Sequence, residues 1–117
     1  MKFENPFECQ GNWYKANLHT HTAASDGEFP LQQRIDQYRS RDYNVLAVTD
    51  HAVTHDVAGL STDDLLVISG MEAHPNCTLD GSTFHFVCLN VPDGLCFDES
   101  TVAQAGIDEV KRHGAAA

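Results

Sequence analysis

Asn17-Leu18-His19-Thr20-His21-Thr22, with Ser25-Asp26-Gly27 close behind, is the stretch from which the rest of the chain is read. Its two histidines stand two residues apart at the end of an apolar segment. On a β-strand, residues i and i+2 point to the same side, so His19 and His21 are expected to project together into one space. Asp26 brings a carboxylate within a short loop of them. The same chemistry recurs in Thr49-Asp50-His51, in Gly70-Met71-Glu72, and at His85 within Thr83-Phe84-His85-Phe86-Val87. Each group sits at or near the end of an apolar, strand-like run. Imidazoles and carboxylates gathered at strand ends are the donor set that a multinuclear metal site needs.

Outward from that stretch, residues 13–19 read as a first strand. Gly27 and Pro30 punctuate a loop into a helix, whose Leu31, Ile35 and Tyr38 share one face. Val45-Leu46-Ala47-Val48 is a continuous apolar run, the pattern of a strand covered on both sides, and Leu65-Leu66-Val67-Ile68 is another. Phe84 to Leu89 reads as a fourth strand, followed by the turn Pro92-Asp93-Gly94. Ser100 to His113 reads as a helix with Val102, Ile107 and Val110 inward and Gly114 as its stop. Apolar strands alternating with helices favour an α/β class with a parallel sheet. In such folds the site forms at the C-terminal ends of the strands. His19 and His21, Asp50 and His51, and Glu72 all fall there, whereas His85 is expected inside its strand. Four strands and two helices do not close a barrel. Gly114-Ala115-Ala116-Ala117 reads as the entry to a further strand, so residues 1–117 read as the N-terminal part of a larger domain.

The chain has 117 residues, enough for one small domain with a core, and its 42% hydrophobic content is that of a globular protein. A formal charge of -10 argues against a basic surface for nucleic acid. It leaves room for phosphorylated substrates, because bound divalent ions reverse the field locally. Cys9, Cys77, Cys88 and Cys96 form no CxxC pair. Cys88 is expected to pack as a small apolar residue and Cys96 to be exposed. Met1 to Gln10 has no apolar signal core, and no apolar run reaches the length of about 18 residues that spans a bilayer. These features point to a cytoplasmic protein with reduced thiols.

The set HxH, SDG, Leu46-Ala47-Val48-Thr49-Asp50-His51, Gly70-Met71-Glu72 and the strand around His85, in this order, resembles the first motifs of the PHP domain, the polymerase and histidinol phosphatase family. The resemblance implies the N-terminal part of a distorted, TIM-like barrel of seven β/α units. It also implies a centre of two or three divalent ions (zinc, manganese or iron) that hydrolyses phosphoesters with a metal-activated water. On that resemblance His19 and His21 are ligands of a first metal, and Glu72 bridges it to a second that His85 also binds. Asp26 and His51 are ligands of a third. The implied substrate is a small phosphorylated molecule, with nucleotides and short oligonucleotides included. The family's later motifs, an Ala-His-Pro and an Asp-x-His, do not occur in the chain, so the resemblance leaves each metal position short of a ligand.

Plainer readings stand beside these. Two imidazoles on one strand face without a partner cost desolvation, which favours ligation for His19 and His21. Asp26 is also a common turn residue. Asp50 has three readings, as a ligand, as an orienter of a histidine, or as a turn former; the orienting role is the expected one. Glu72 at the end of a buried strand needs a cationic partner. His85 competes with a satisfied core histidine. His55 is expected to pair with Asp56 on the surface, and His74 to face solvent. The rival to an enzyme is an inactive metal-binding module with a regulatory or interaction role, and an open sheet edge offers a route to self-association.

Overall fold

The computed structural model describes residues 5–74, 82, 84–98 and 100–117. Its elements are β1 (Ala16–Asn17), α1 (Leu31–Arg39), β2 (Val45–Val48), β3 (Leu66–Ala73), β4 (Phe86–Leu89) and α2 (Ala103–Arg112). The strands form one mixed sheet in the order β1-β2-β3-β4. Ala116 adds an isolated antiparallel bridge to Leu89 on the far side of β4, so the expected strand entry at the C-terminal alanines is present as a single bridge.

The sheet is parallel from β1 to β3 and antiparallel between β3 and β4. This corrects the expectation of parallel strands throughout. Residues 74–85 carry no amphipathic helical pattern, and antiparallel neighbours need no crossover helix. The α/β class holds at the level of a four-stranded sheet with two helices.

β3 is longer than the run Leu65–Ile68 from which it was read. It pairs with β2 through residues 66–69 and with β4 through residues 70–73, changing partner between Ser69 and Gly70. Glu72 therefore lies inside a strand and not after one. β1 is shorter than residues 13–19. Trp13 and Tyr14 stand 75% and 66% exposed, and at the far end Asn17 Oδ1 takes the His19 amide at 2.9 Å, which interrupts the ladder. His85 precedes β4 instead of lying within it.

Two apolar layers cover one side of the sheet. Leu46 and Val48 of β2 and Val67 of β3 pack with Leu65 against Ile35 of α1, with Leu31 and Tyr38 beside them as the helical spacing predicted. Met71 and Ala73 of β3 pack with Cys88 and Val91 against Val110 of α2. Along β3 the odd-numbered Val67, Met71 and Ala73 thus face the helices, and period two turns Leu66, Ile68, Gly70 and Glu72 to the other side. Leu66 is 51% exposed there, so the reading of this strand as covered on both faces fails at its start. Val102 caps α2 at its N-terminus and is exposed, not inward as expected. Gly114, at φ 72°, ends α2 as predicted. Cys88 is buried, Cys9 and Cys96 are exposed, and Cys77 lies outside the described residues. Burial pushes the Cys88 thiol up to about 11. Among the described residues no helix is long and apolar enough to cross a membrane.

Gly70 marks the point where β3 exchanges neighbours. A Cβ there falls 2.7 Å from the Cys88 carbonyl oxygen and from Thr49 Cγ2, and 3.0 Å from the Val48 carbonyl oxygen. Two of these are backbone atoms of flanking strands, which move only by parting the sheet. Gly70→Ala is expected to cost about 1–3 kcal/mol, read as a lower urea midpoint. An unchanged midpoint rejects the close approach.

Candidate metal centre

After β1 stops, the segment 19–22 stays extended because it is tied to the end of β2. The Thr49 amide donates to the Thr20 carbonyl at 2.8 Å, and the Thr20 amide donates to Thr49 Oγ1 at 2.9 Å. Thr20 and Thr22 are buried on one side, and the intervening His19 and His21 project on the other. The two-residue spacing thus acts as read from the sequence, although outside a formal strand. The chain beyond β2 runs alongside β3: the Glu72 amide donates to the Asp50 carbonyl at 3.0 Å, and the Ala52 amide to the Glu72 carbonyl at 3.0 Å. Ala52 turns the backbone away at φ 52°, a conformation that costs a residue with a Cβ roughly 1–2 kcal/mol.

These constraints bring all six predicted ligands together. Glu72, buried at 7% exposure, is the hub. Its Oε2 lies 2.8 Å from His21 Nε2, 3.2 Å from His19 Nε2 and 3.5 Å from His51 Nδ1, and its Oε1 lies 2.8 Å from His85 Nδ1. Asp26, on the loop after His21, reaches His21 Nδ1 at 2.6 Å and His51 Nε2 at 3.4 Å. Three groups of donors result: His19, His21 and Glu72; His21, Asp26 and His51; and His51, Glu72 and His85. Within each group the donor atoms lie within 4.8 Å of one another. His19 and His85 are about half exposed, so the cluster opens to solvent at its rim.

The donor chemistry fits divalent cations. Carboxylates only accept hydrogen bonds when ionised, yet both nitrogens of His21 face carboxylates. Either both carry protons or a cation stands on one side. His19 Nε2 and His21 Nε2 approach to 3.1 Å beside the same carboxylate oxygen, converging on one point. His51 Nδ1 is buried without a hydrogen-bond partner, which a ligated cation would supply. Burial pushes the Glu72 carboxyl up, but the hydrogen bond from His85 and the charges of His51 and His19 hold it below the usual range. The hydrogen bond from His21 does the same for Asp26.

Asp50 lies outside these groups, on the other side of the segment, with none of its surface exposed. It accepts hydrogen bonds from the Thr22 amide and hydroxyl, both at 2.7 Å, from the Ser25 hydroxyl, and from His55 Nε2 at 2.6 Å. It therefore fixes the loop that carries Asp26, and the histidine it bonds, His55, belongs to none of the three groups. His55 is a correction: it pairs with Asp50 and not with Asp56, in a partly buried position. His74 is exposed as expected, but its ring lies 5.4 Å from that of His51 and 5.3 Å from that of His85. Arg34 was also missed; its Nε donates to the His21 carbonyl at 3.1 Å. Nothing in the spacing of His55 or Arg34 marks these contacts, since each is made across a fold the local pattern does not encode. His113 bonds Glu109 along α2 and joins none of the three groups.

Gly27 shows why the SDG turn is tight: a Cβ there falls 2.5 Å from the His21 carbonyl oxygen. No protein-family model matches the chain, and no curated protein matches it.

Burial pushes the Asp50 carboxyl up, and the hydrogen bonds from Ser25, Thr22 and His55 outweigh it, so that its folded value lies below the usual range. The unfolded state therefore takes up a proton first, and stability from this group is present above the ordinary aspartate range and lost as pH falls through the lowered folded value. Asp50→Asn is expected to cost about 1–3 kcal/mol at neutral pH, with the gap to the parent narrowing in acid. Denaturant titrations at several pH values check this, and a gap that widens in acid rejects it.

Proposed function

We propose that the chain is a metal-dependent hydrolase of the phosphoesterase class, built on the PHP-like motif set. The observation that carries this reading is Glu72, a nearly buried carboxylate ringed by four imidazoles with no lysine or arginine paired to it among the described residues. Such a carboxylate bridges cations more readily than it stabilises a fold, because a buried charge needs an opposite charge close by.

In this reading His19, His21 and Glu72 would hold one ion, and Glu72, His85 and His51 would hold a second. Asp26 and His51, with His21 beside them, would hold a third. Each position would have three donors from these groups and would remain short of the ligand that the family's later motifs supply. Zinc, manganese or iron suits this mixture of nitrogen and oxygen donors. Divalent ions bound there supply Lewis-acid polarisation of a phosphoryl group and activation of water near neutral pH.

The protein's own part is to orient and to admit. Asp50 holds the Thr22–Ser25 loop, and Asp26 in turn bonds His21 and so fixes the plane of its ring. His19 and His85 form the exposed rim that a substrate meets first. The strongly acidic surface disfavours long polyanions, so the expected substrates are small phosphorylated molecules such as nucleotides or short oligonucleotides.

Metal analysis after dialysis is expected to find zinc, manganese or iron bound to the protein. Glu72→Gln, and separately His19→Ala with His21→Ala, should reduce metal content to trace while retaining the far-ultraviolet circular dichroism of the fold. Any hydrolysis of an aryl phosphate or a dinucleotide should fall by more than about 100-fold, the upper effect of an outer partner. Metal-free protein that takes up none of the three ions overturns the assignment. Bound metal without turnover of either ester leaves a metal-binding module with a regulatory or interaction role.

A further inference from the structure

Lysine and arginine number seven in the chain against seventeen acidic residues. Of the four arginines, Arg39 pairs with Asp36 and Arg112 with Glu109. Arg34 and Arg41 pair with no carboxylate among the described residues. Both line one cavity of about 480 Å³ beside α1, whose other walls are Phe29, Gln37, Tyr38 and Tyr43. That volume lies within the range of small-molecule sites.

The cavity's cations are held and not dangling. Arg34 is fixed by its bond to the His21 carbonyl, by Nη1 donating to Gln37 Oε1 at 3.1 Å, and by stacking 5.1 Å from the Phe29 ring centroid. Arg41 Nη1 donates to the Gln37 carbonyl at 3.0 Å. Lys15 Nζ bonds the Arg41 carbonyl at 2.8 Å and lies 4.4 Å from the centroid of Tyr43. A guanidinium carries five N–H donors in a planar fork, and these contacts occupy a minority of them. The remaining donors suit a phosphate by their chemistry, and Phe29, Tyr38 and Tyr43 give the cavity aromatic walls beside them.

We infer that the cavity between Arg34, Arg41, Tyr38 and Tyr43 binds a small aromatic anion of the nucleoside monophosphate class, separately from the metal centre. The two arginines take the phosphate and the aromatic walls take the base. The site backs directly onto the histidine segment. Arg34 holds the His21 carbonyl, and the Tyr38 hydroxyl meets Asn17 Nδ2 at 2.5 Å and Thr20 Oγ1 at 3.4 Å. The binding itself does not depend on the metal reading.

Equilibrium dialysis of the protein in EDTA, with AMP, adenosine and inorganic phosphate in separate cells, tests this. AMP is expected to bind one per chain, more tightly than adenosine or phosphate alone, and to weaken as salt is raised. Arg41→Gln should weaken AMP about tenfold or more, the effect of losing a charge-assisted contact. Arg41 is exposed and follows the helix, so the variant should keep the parent's circular dichroism. Glu72→Gln should bind AMP as the parent does, which separates this site from the metal centre. No AMP binding, equal affinity in Arg41→Gln, or adenosine binding as tightly as AMP overturns the inference. So does AMP binding that appears only with added metal and is lost in Glu72→Gln.

Discussion

Asp50 sits with a full negative charge on a side chain that water does not reach, and no lysine or arginine among the described residues pairs with it. Desolvation of such a group is among the larger costs a small fold can carry. Two hydroxyls, one backbone amide and one imidazole offset it, and three of those four donors belong to the loop after β1. The loop between Thr22 and Ser25 is thus held by a charge on the neighbouring strand end. Once it is held, Asp26 stands within reach of both His21 and His51. The geometry of the candidate centre follows from this buried carboxylate as much as from the residues that face the solvent.

Glu72 answers a related problem on the opposite face of the sheet. Its carboxylate is nearly buried, yet its partners are imidazoles, whose charge is conditional. A cluster of this kind is cohesive when cations or protons are available and self-repelling when neither is. The fold tolerates it because the backbone around Glu72 is bonded on both sides, to the chain after β2 and to β4.

Much of this was legible in the sequence because it depends on short-range periodicity. The same-side projection of His19 and His21, the helical stripe Leu31-Ile35-Tyr38, the apolar run of β2 and the glycine stop of α2 each need only a few adjacent residues. The grouping of the six donors was implied by the resemblance to the PHP motif set, although Glu72 lies within β3 and His85 ahead of β4. What escaped was whatever depends on contacts between distant segments. His55 looks like any loop histidine until Asp50 is seen to lie beneath it. Arg34 looks like the polar side of an amphipathic helix until its guanidinium is found on a backbone carbonyl of the histidine segment. The antiparallel turn of β4 was hidden because an apolar run such as Phe86-Val87-Cys88-Leu89 carries no sign of its direction. The early end of β1 was set by a side chain, Asn17, competing with the ladder for its neighbour's amide.

The change of partner within β3 divides the molecule into two packing layers that share one strand. One layer is β2 with α1, and the other is β4 with α2, each with its own buried cluster. A strand that belongs to both layers can lose one and remain anchored by the other. Local opening of β4 and α2 frees His85 while Glu72 stays bonded to the chain around Asp50 and Ala52. The donor set then contracts by one member instead of dissolving. Hydrogen exchange is therefore expected to divide between Ser69 and Gly70, where β3 passes from β2 to β4, and on the proposed metal reading the position that includes His85 would follow the β4 half.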